Sequence, residues 1–315
     1  MSKKDVSFHS KILLFGEYSI IQDSMGLTVP YEIFKGALTF DDESIDDTFR
    51  TSSNQNLKGF ADYIQEQIQS GTLQINFDLD AFQKDIQQGI FFQSSIPQGF
   101  GVGSSGALVA AVYDRYVIDK VTLDIVPTKE MISSLKSIFG LLESYFHGKS
   151  SGVDPLICYL NLPLLIKGNE DIEPVKIAMK TNGEGAIFLI DTGIARSTEP
   201  LVKYYMQQME QPSYREFVDK QLKPFANNCI QAFLEGDTET LFGYMKQLSH
   251  FQFQHFKPMI PKFFNKHWKK GLDSGDYYLK LCGAGGGGFI LGFTKDMDKT
   301  RKTLKGQKLE VLSYI

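Results

Sequence analysis

Cysteine is scarce in this 315-residue chain: Cys158, Cys229 and Cys282 are odd in number and far apart. That excludes a disulfide framework and a cysteine-based zinc site, and it suits a reducing compartment. Long apolar runs are missing as well. None approaches the roughly 18 consecutive apolar residues of a membrane span. The opening MSKKDVSFHS carries two lysines with no apolar segment behind them, unlike a signal peptide. A cytoplasmic protein without a membrane partner is expected. Nor is there an excess of positive charge. Lys and Arg number 33 against 37 Asp and Glu, a net charge of −4, which argues against nucleic acid as a partner. An anionic small molecule remains compatible with that balance if a few cations gather in one cleft. Internal repeats and low-complexity tracts are also absent. With 42% hydrophobic residues the chain is globular rather than disordered, and its length suggests two domains.

The most informative stretch is PQGFGVGSSGA at 97–107, which runs into the apolar-periodic segment 108–117. Gly99, Gly101, Gly103 and Gly106 let the backbone turn sharply and approach a ligand closely, because no Cβ stands in the way. Ser104 and Ser105 fall where a helix begins, and there free N–H groups and the positive helix end favour phosphates. A glycine-rich turn with a serine N-cap accounts for Ser104 equally well. Gly101, Gly103 and Gly106 satisfy G-x-G-x-x-G, yet that dinucleotide fingerprint belongs after the first strand of a βαβ unit. Here it lies about a third of the way along, and Pro97 interrupts the approach. No Lys follows the glycines, so this is not a Walker A loop.

Periodicity places strands at 11–15, 33–40, 73–79 and 187–192, and an apolar run at 90–92. Residues 41–47 read as an acidic surface stretch. Helical spacing appears at 56–69 and 127–146, the latter with Met131, Leu135, Ile138, Leu142 and Tyr145 on one face and His147-Gly148 as its stop. Residues 197–248 read as mostly helical, broken near Pro212 and Gly236. Two strands at 277–282 and 289–293 flank the glycine run 283–288, and a short helix follows at 299–305. Turns at 168–171 and 182–185 suggest a boundary near 165–185. Strands and helices mix without regular βα alternation, an α+β architecture.

The first glycine loop is not alone. KILLFGEY at 11–18 and KLCGAGGGG at 280–288 flank it in the sequence. In order and spacing, the three segments resemble the signature motifs of the GHMP kinases (galactokinase, homoserine kinase, mevalonate kinase, phosphomevalonate kinase). ESYFHG at 143–148, followed by SSGVD at 150–154, resembles the E-x-x-x-H-G-x-x-S-G-x-D run of mevalonate kinases. DTGIARST at 191–198 resembles their D-T-x-x-x-R-S-T stretch. The sugar-recognition sequence of galactokinases is absent.

The resemblance implies a two-domain α+β GHMP fold. Its N-terminal nucleotide-binding and catalytic domain, 1–170, would be ribosomal protein S5 domain 2-like. Its C-terminal domain, 171–315, would be ferredoxin-like. The implied activity is ATP-dependent phosphorylation of mevalonate at its primary hydroxyl, with Mg²⁺. Phosphomevalonate kinase, another small-alcohol GHMP kinase and a catalytically silent nucleotide-binding protein stand as alternatives. The partner is a small-molecule substrate, and the protein is a monomer or homodimer.

Roles follow from the same resemblance. Asp154 is the base that accepts the substrate hydroxyl proton; read without the resemblance, it is a helix N-cap before Pro155. Lys11, otherwise a lysine at the start of a strand, keeps Asp154 ionised and steadies the attacking oxygen. Ser105 and Glu143 hold Mg²⁺; alone, Glu143 is a solvated helical face. Pro97, Gly99, Gly101, Gly103, Ser104, Ser105, Gly106, Gly285 and Gly286 bind ATP. Glu17, Tyr18, Arg196, Thr198 and Gly283 line the substrate side, Arg196 as a carboxylate partner. Residues 11, 105, 143, 154 and 283–288 are expected to converge around one triphosphate. His147 reads as a helix terminus.

Some residues depart from the pattern. Tyr18 stands where many mevalonate kinases have His, and Cys282 where they usually have Thr. Phe100 and Val102 vary the loop core. The aromatic segment 252–268 matches nothing in the family and is expected to be core.

Overall fold

The computed structural model describes residues 6–40, 46–122, 127–168 and 171–315. Most of the acidic stretch expected at 41–47 lies outside the described residues, as do the N-terminal lysines and part of the turn at 168–171. The chain divides into two compact units. One takes the chain up to Lys11, Pro30–Pro97 and Gly103–Leu162; the other takes Ile12–Val29, Gln98–Val102 and Pro163–Ile315.

The first unit is built on strands β1 (Phe8–Phe15), β2 (Met25–Thr39) and β3 (Phe91–Ser94). β1 and β2 are hydrogen-bonded neighbours, and both continue into the second unit. β3 pairs antiparallel with Gly36–Thr39 of β2. Among the described residues, five α-helices belong here: α1 (Asp47–Gln69), α2 (Leu79–Gln87), α3 (Ser104–Tyr116), α4 (Lys129–His147) and α5 (Val153–Leu160). Asp46, Asp78 and Thr128 start α1, α2 and α4 by accepting first-turn N–H bonds. Gly148 ends α4 at φ 72°, a backbone state that glycine adopts without penalty.

Three local expectations change. Residues 73–79 do not form a strand. The Asp78 carboxylate accepts the Ala81 N–H at 3.0 Å and starts a helix at Leu79, leaving one isolated bridge from Phe77 to Val117. The buried face of α4 is Ile132, Leu135, Phe139, Leu142 and Glu143, rotated from the expected stripe. Phe139 sets that rotation by packing edge-on to Tyr113 and Tyr159, at 4.9 and 5.5 Å between ring centres. Finally, the N-cap of α3 is Gly103 at φ 86°, not a serine.

The second unit holds the start of β2, whose Met25–Thr28 pairs antiparallel with β4 (Leu164–Lys167); β4 in turn pairs with β5 (Ile172–Pro174). Beyond these come β6 (Ala186–Asp191), α6 (Glu199–Met209), α7 (Pro212–Phe217), α8 (Lys223–Glu235), α9 (Thr238–His255) and α10 (Asn265–Ser274). The chain then closes with β7 (Tyr277–Leu281), β8 (Phe289–Thr294), α11 (Met297–Thr303) and β9 (Lys308–Tyr314). The last four strands form an antiparallel sheet in the order β7-β8-β6-β9. Gly236 caps α8 in the left-handed conformation, where the helical break was expected. The aromatic segment is chiefly core: Phe256, Met259, Ile260, Phe264 and Trp268 are buried, while Phe263 is exposed. The three cysteines are free and buried. Among the described residues, no helix is long and apolar enough to cross a membrane.

Candidate active site

In the first unit, four remote segments bring their polar residues together. Lys11 comes from β1, and its ammonium lies 2.9 Å from Oδ2 of Asp154, in the first turn of α5. The lysine side chain is 9% exposed and the aspartate 40%, so the pair has a dry end and a wet one. Gly152 occupies the N-cap of α5, which removes the reading of Asp154 as the cap.

Two glycines of the serine loop make this approach possible. A Cβ on Gly106 would stand 2.8 Å from the Asp154 carbonyl carbon and 2.9 Å from the Pro155 nitrogen. A Cβ on Gly103, at φ 86°, would stand 3.0 Å from Cγ of Lys11. The start of α3 therefore packs on the Lys11–Asp154 pair because side chains are missing there. The first-turn amides of α3 have no partner inside the helix, which makes this end suited to an anion.

Ser105 and Glu143 meet as expected: the Ser105 hydroxyl donates to Oε1 of Glu143 at 2.9 Å. Two further residues complete the cluster. Ser150 donates to Oε2 of Glu143 at 2.5 Å, and Nε2 of His147 lies 3.0 Å from the Ser105 oxygen. With the serine proton directed at Glu143, that contact casts His147 as the donor, its Nε2 carrying the proton. His147 is the last residue of α4, as the sequence suggested, but it also touches the site. The i, i+4 spacing of Glu143 and His147 was the available signal. Gly152 holds the 150–154 segment against α4 at φ 74°, where a Cβ would collide with the Lys136 carbonyl.

Glu143 is 3% exposed. Burial pushes its carboxyl up to about 7, and the Asp154 charge adds to the rise. Hydrogen bonds from Ser150 and Ser105 and the Lys11 charge oppose it. Burial likewise pushes the Cys158 thiol well up, so this cysteine beside Gly103 is no nucleophile.

In the second unit, the backbone N–H of Arg196 donates to Gly99 O at 3.1 Å, and its guanidinium donates to the Thr198 hydroxyl at 2.8 Å. A Cβ on Gly283 would stand 2.9 Å from the Arg196 guanidinium, and one on Gly101 would collide with it. Gly285 and Gly286 pack against Met259 and Leu201. Tyr18 is buried with φ 63°, uncommon for a residue with a side chain, and its hydroxyl donates to Ala284 O at 2.6 Å. Burial raises its pKa, against the lowering charge of Arg196. Glu17 is buried in an ion pair with Lys280, a residue for which no role was expected. Pro97, Ser104, Gly103 and Gly106 lie in the first unit, and Gly99, Gly101 and Gly283–Gly288 in the second.

No family model matches the chain, and no curated protein does. Solved structures match in fold. The L. major mevalonate kinase in complex with R-mevalonate superposes with a TM-score of 0.63 at 15% identity, over 99% of this chain and 97% of that one. The Streptococcus pneumoniae phosphomevalonate kinase with phosphomevalonate and AMPPNP gives 0.63 at 16% identity, over 98% and 100%. The Lactococcus lactis galactokinase complexed with galactose gives 0.64 at 11% identity, over 99% and 94%. The chain thus has the fold of the GHMP kinases along its whole length.

Proposed function

We propose that this protein is an ATP-dependent kinase of the GHMP type that phosphorylates the primary hydroxyl of mevalonate. The observation that carries this reading is the 2.9 Å Lys11–Asp154 pair under the N-terminus of α3, with Ser105 and Glu143 beside it. Phosphoryl transfer needs in-line positioning and charge neutralisation more than covalent help from the protein. Asp154 accepts the hydroxyl proton as the alcohol attacks. Lys11 holds that carboxylate ionised and faces the charge growing on the attacking oxygen. The amides of Ser104, Ser105 and Gly106 receive phosphate oxygens, and Gly99, Gly101, Gly285, Gly286 and Pro97 shape the nucleotide side.

Ser105 and Glu143 fit a magnesium ion. Both offer hard oxygen donors, and a buried carboxylate that resists ionisation is what a nearby dication relieves. Among the described residues no cluster of three or more His, Cys, Asp and Glu suits a metal, which accords with an ion held largely by water and phosphate. When bound, the ion neutralises charge on the phosphate oxygens. Arg196 and Thr198 take the acceptor's carboxylate, with Tyr18 and Gly283 beside them. Lys280 is committed to Glu17, so the phosphate that phosphomevalonate carries beside its carboxylate would also rest on Arg196, which favours mevalonate over phosphomevalonate.

The path from β6 to β9, in which α6–α10 separate β6 from β7 and α11 separates β8 from β9, with sheet order β7-β8-β6-β9, supports the ferredoxin-like description of the C-terminal domain. The S5-like N-terminal domain, the 1–170 and 171–315 division of labour, a cytoplasmic location and a monomeric or homodimeric state belong to the same reading. A coupled ADP-release assay with mevalonate, phosphomevalonate, homoserine and galactose tests it. Turnover is expected with mevalonate, and preference for any other acceptor replaces the assignment.

A further inference from the structure

Strand β7 ends at Leu281 in an unusual way: side chains take both of its backbone groups. Its N–H donates to Oε1 of Gln252 at 2.8 Å, and its C=O accepts from the Lys280 ammonium at 2.7 Å. The same ammonium is paired with Oε1 of Glu17, and both side chains are sealed from solvent, at 0% and 1% exposure. The glycine turn beyond is tied down at alternate residues. Ala284 O accepts the Tyr18 hydroxyl at 2.6 Å, Gly286 N–H donates to Met259 O at 2.5 Å, and Gly288 N–H donates to Ile194 O at 2.7 Å. Gln252, Phe256 and Met259 all come from the aromatic segment that matched no known motif. Phe256 packs on the Tyr18 ring, 5.1 Å between centres.

We infer that Glu17 is a positioning residue that acts through Lys280. With residues 252–264 as platform, the buried pair fixes where the Gly283–Gly288 turn leaves the sheet. A buried pair of this kind is poor value as stability, because desolvation offsets the attraction; its stronger use is to select one geometry. Here it selects one exit path for a turn whose glycines would otherwise allow many. This replaces the expectation that Glu17 lines the substrate, since its carboxylate is enclosed and engaged by Lys280.

The inference rests on the kinase reading only for its kinetic arm. The test compares wild type with E17Q, K280M, the E17Q/K280M double variant and Y18F. The first readout is amide hydrogen exchange of the peptide covering 281–288, which requires no ligand. Each single charge variant is expected to exchange there at least about 10-fold faster, with the segment around Asp154 unchanged. The double variant, which leaves no unpaired charge and keeps similar volume, should fold and exchange no faster than the worse single, because one interaction is removed twice. Y18F should raise exchange in the same peptide to a smaller extent.

The second readout is kinetic. The acceptor KM should rise about 10-fold in E17Q and K280M alike, and nucleotide affinity should weaken with it, since Gly285 and Gly286 lie in the same turn. Unchanged exchange in the folded double variant overturns the inference. So does a KM rise in E17Q that K280M does not share, since Glu17 then touches the acceptor itself. If no alcohol is turned over by wild type, the kinase reading fails while the exchange measurement still decides this one.

Discussion

Lys11 Nζ and Asp154 Oδ2 stand 2.9 Å apart although 143 positions (154 − 11) separate them in the sequence. The contact exists because Gly103 and Gly106 let the start of α3 settle onto both residues. A side chain at Gly106 would hold the helix away, and one at Gly103 would press on the Lys11 side chain from a φ of 86° that favours glycine. The serine loop thus has a packing reason for its glycines that is independent of nucleotide binding.

That reason yields the first prediction. Gly106→Ala places a Cβ against the Asp154 and Pro155 backbone, which cannot yield as a flexible side chain would. Thermal or urea unfolding should show a loss of about 1–3 kcal/mol, typical of overpacking. Activity should fall further than stability alone explains, because α5 carries Asp154. A variant with wild-type stability and turnover would show that α3 and α5 do not cross this closely.

Glu143 supplies a pH signature. Its carboxyl titrates near 7 in the folded, metal-free protein, mainly through burial and then the Asp154 charge, against an ordinary 4.5. Between those values the folded protein holds a proton that the unfolded chain has released. Stability should therefore fall as pH rises from about 4.5 through 7. Glu143→Gln should flatten this contribution, and magnesium should offset it in wild type. Denaturant titrations across that range in chelator check the slope. A wild-type slope equal to that of the glutamine variant would contradict the shift.

Ser105→Ala removes the hydroxyl shared by Glu143 and His147. A lost hydrogen bond to a charged group amounts to roughly 1.5–3 kcal/mol, or about 10- to 100-fold. We expect a decrease of that size in kcat/KM for magnesium-ATP, and a higher magnesium concentration at half-maximal rate. Titration of metal at fixed nucleotide checks both. An unchanged metal requirement would separate Ser105 from the ion.

Local signals made much of this readable beforehand. Glycine runs, the serine loop and the E-x-x-x-H-G-x-x-S-G-x-D run each sit within a few residues, and they placed Lys11, Ser105, Glu143 and Asp154 correctly as neighbours within one unit. What escaped depends on tertiary partners. The strand expected at 73–79 alternates in burial, yet no ladder partner meets it and Asp78 turns the chain into a helix. The α4 stripe rotated because Phe139 found two aromatic partners contributed by α3 and α5. Lys280 was invisible as a functional residue, since its partner Glu17 is 263 positions away and neither residue type announces a buried pair. His147 was read only as a helix end, because its contact with Ser105 depends on how α3 and α4 pack.

The measurement closest to the central claim is a single-turnover comparison of wild type and Asp154→Asn with saturating magnesium-ATP and mevalonate. A nucleotide titration of each protein accompanies it. Loss of a positioned base should slow phosphoryl transfer by about 10²- to 10⁴-fold, while nucleotide affinity stays within a few-fold of wild type. Equal transfer rates in the two proteins would remove Asp154, and the pair it forms with Lys11, from the chemistry.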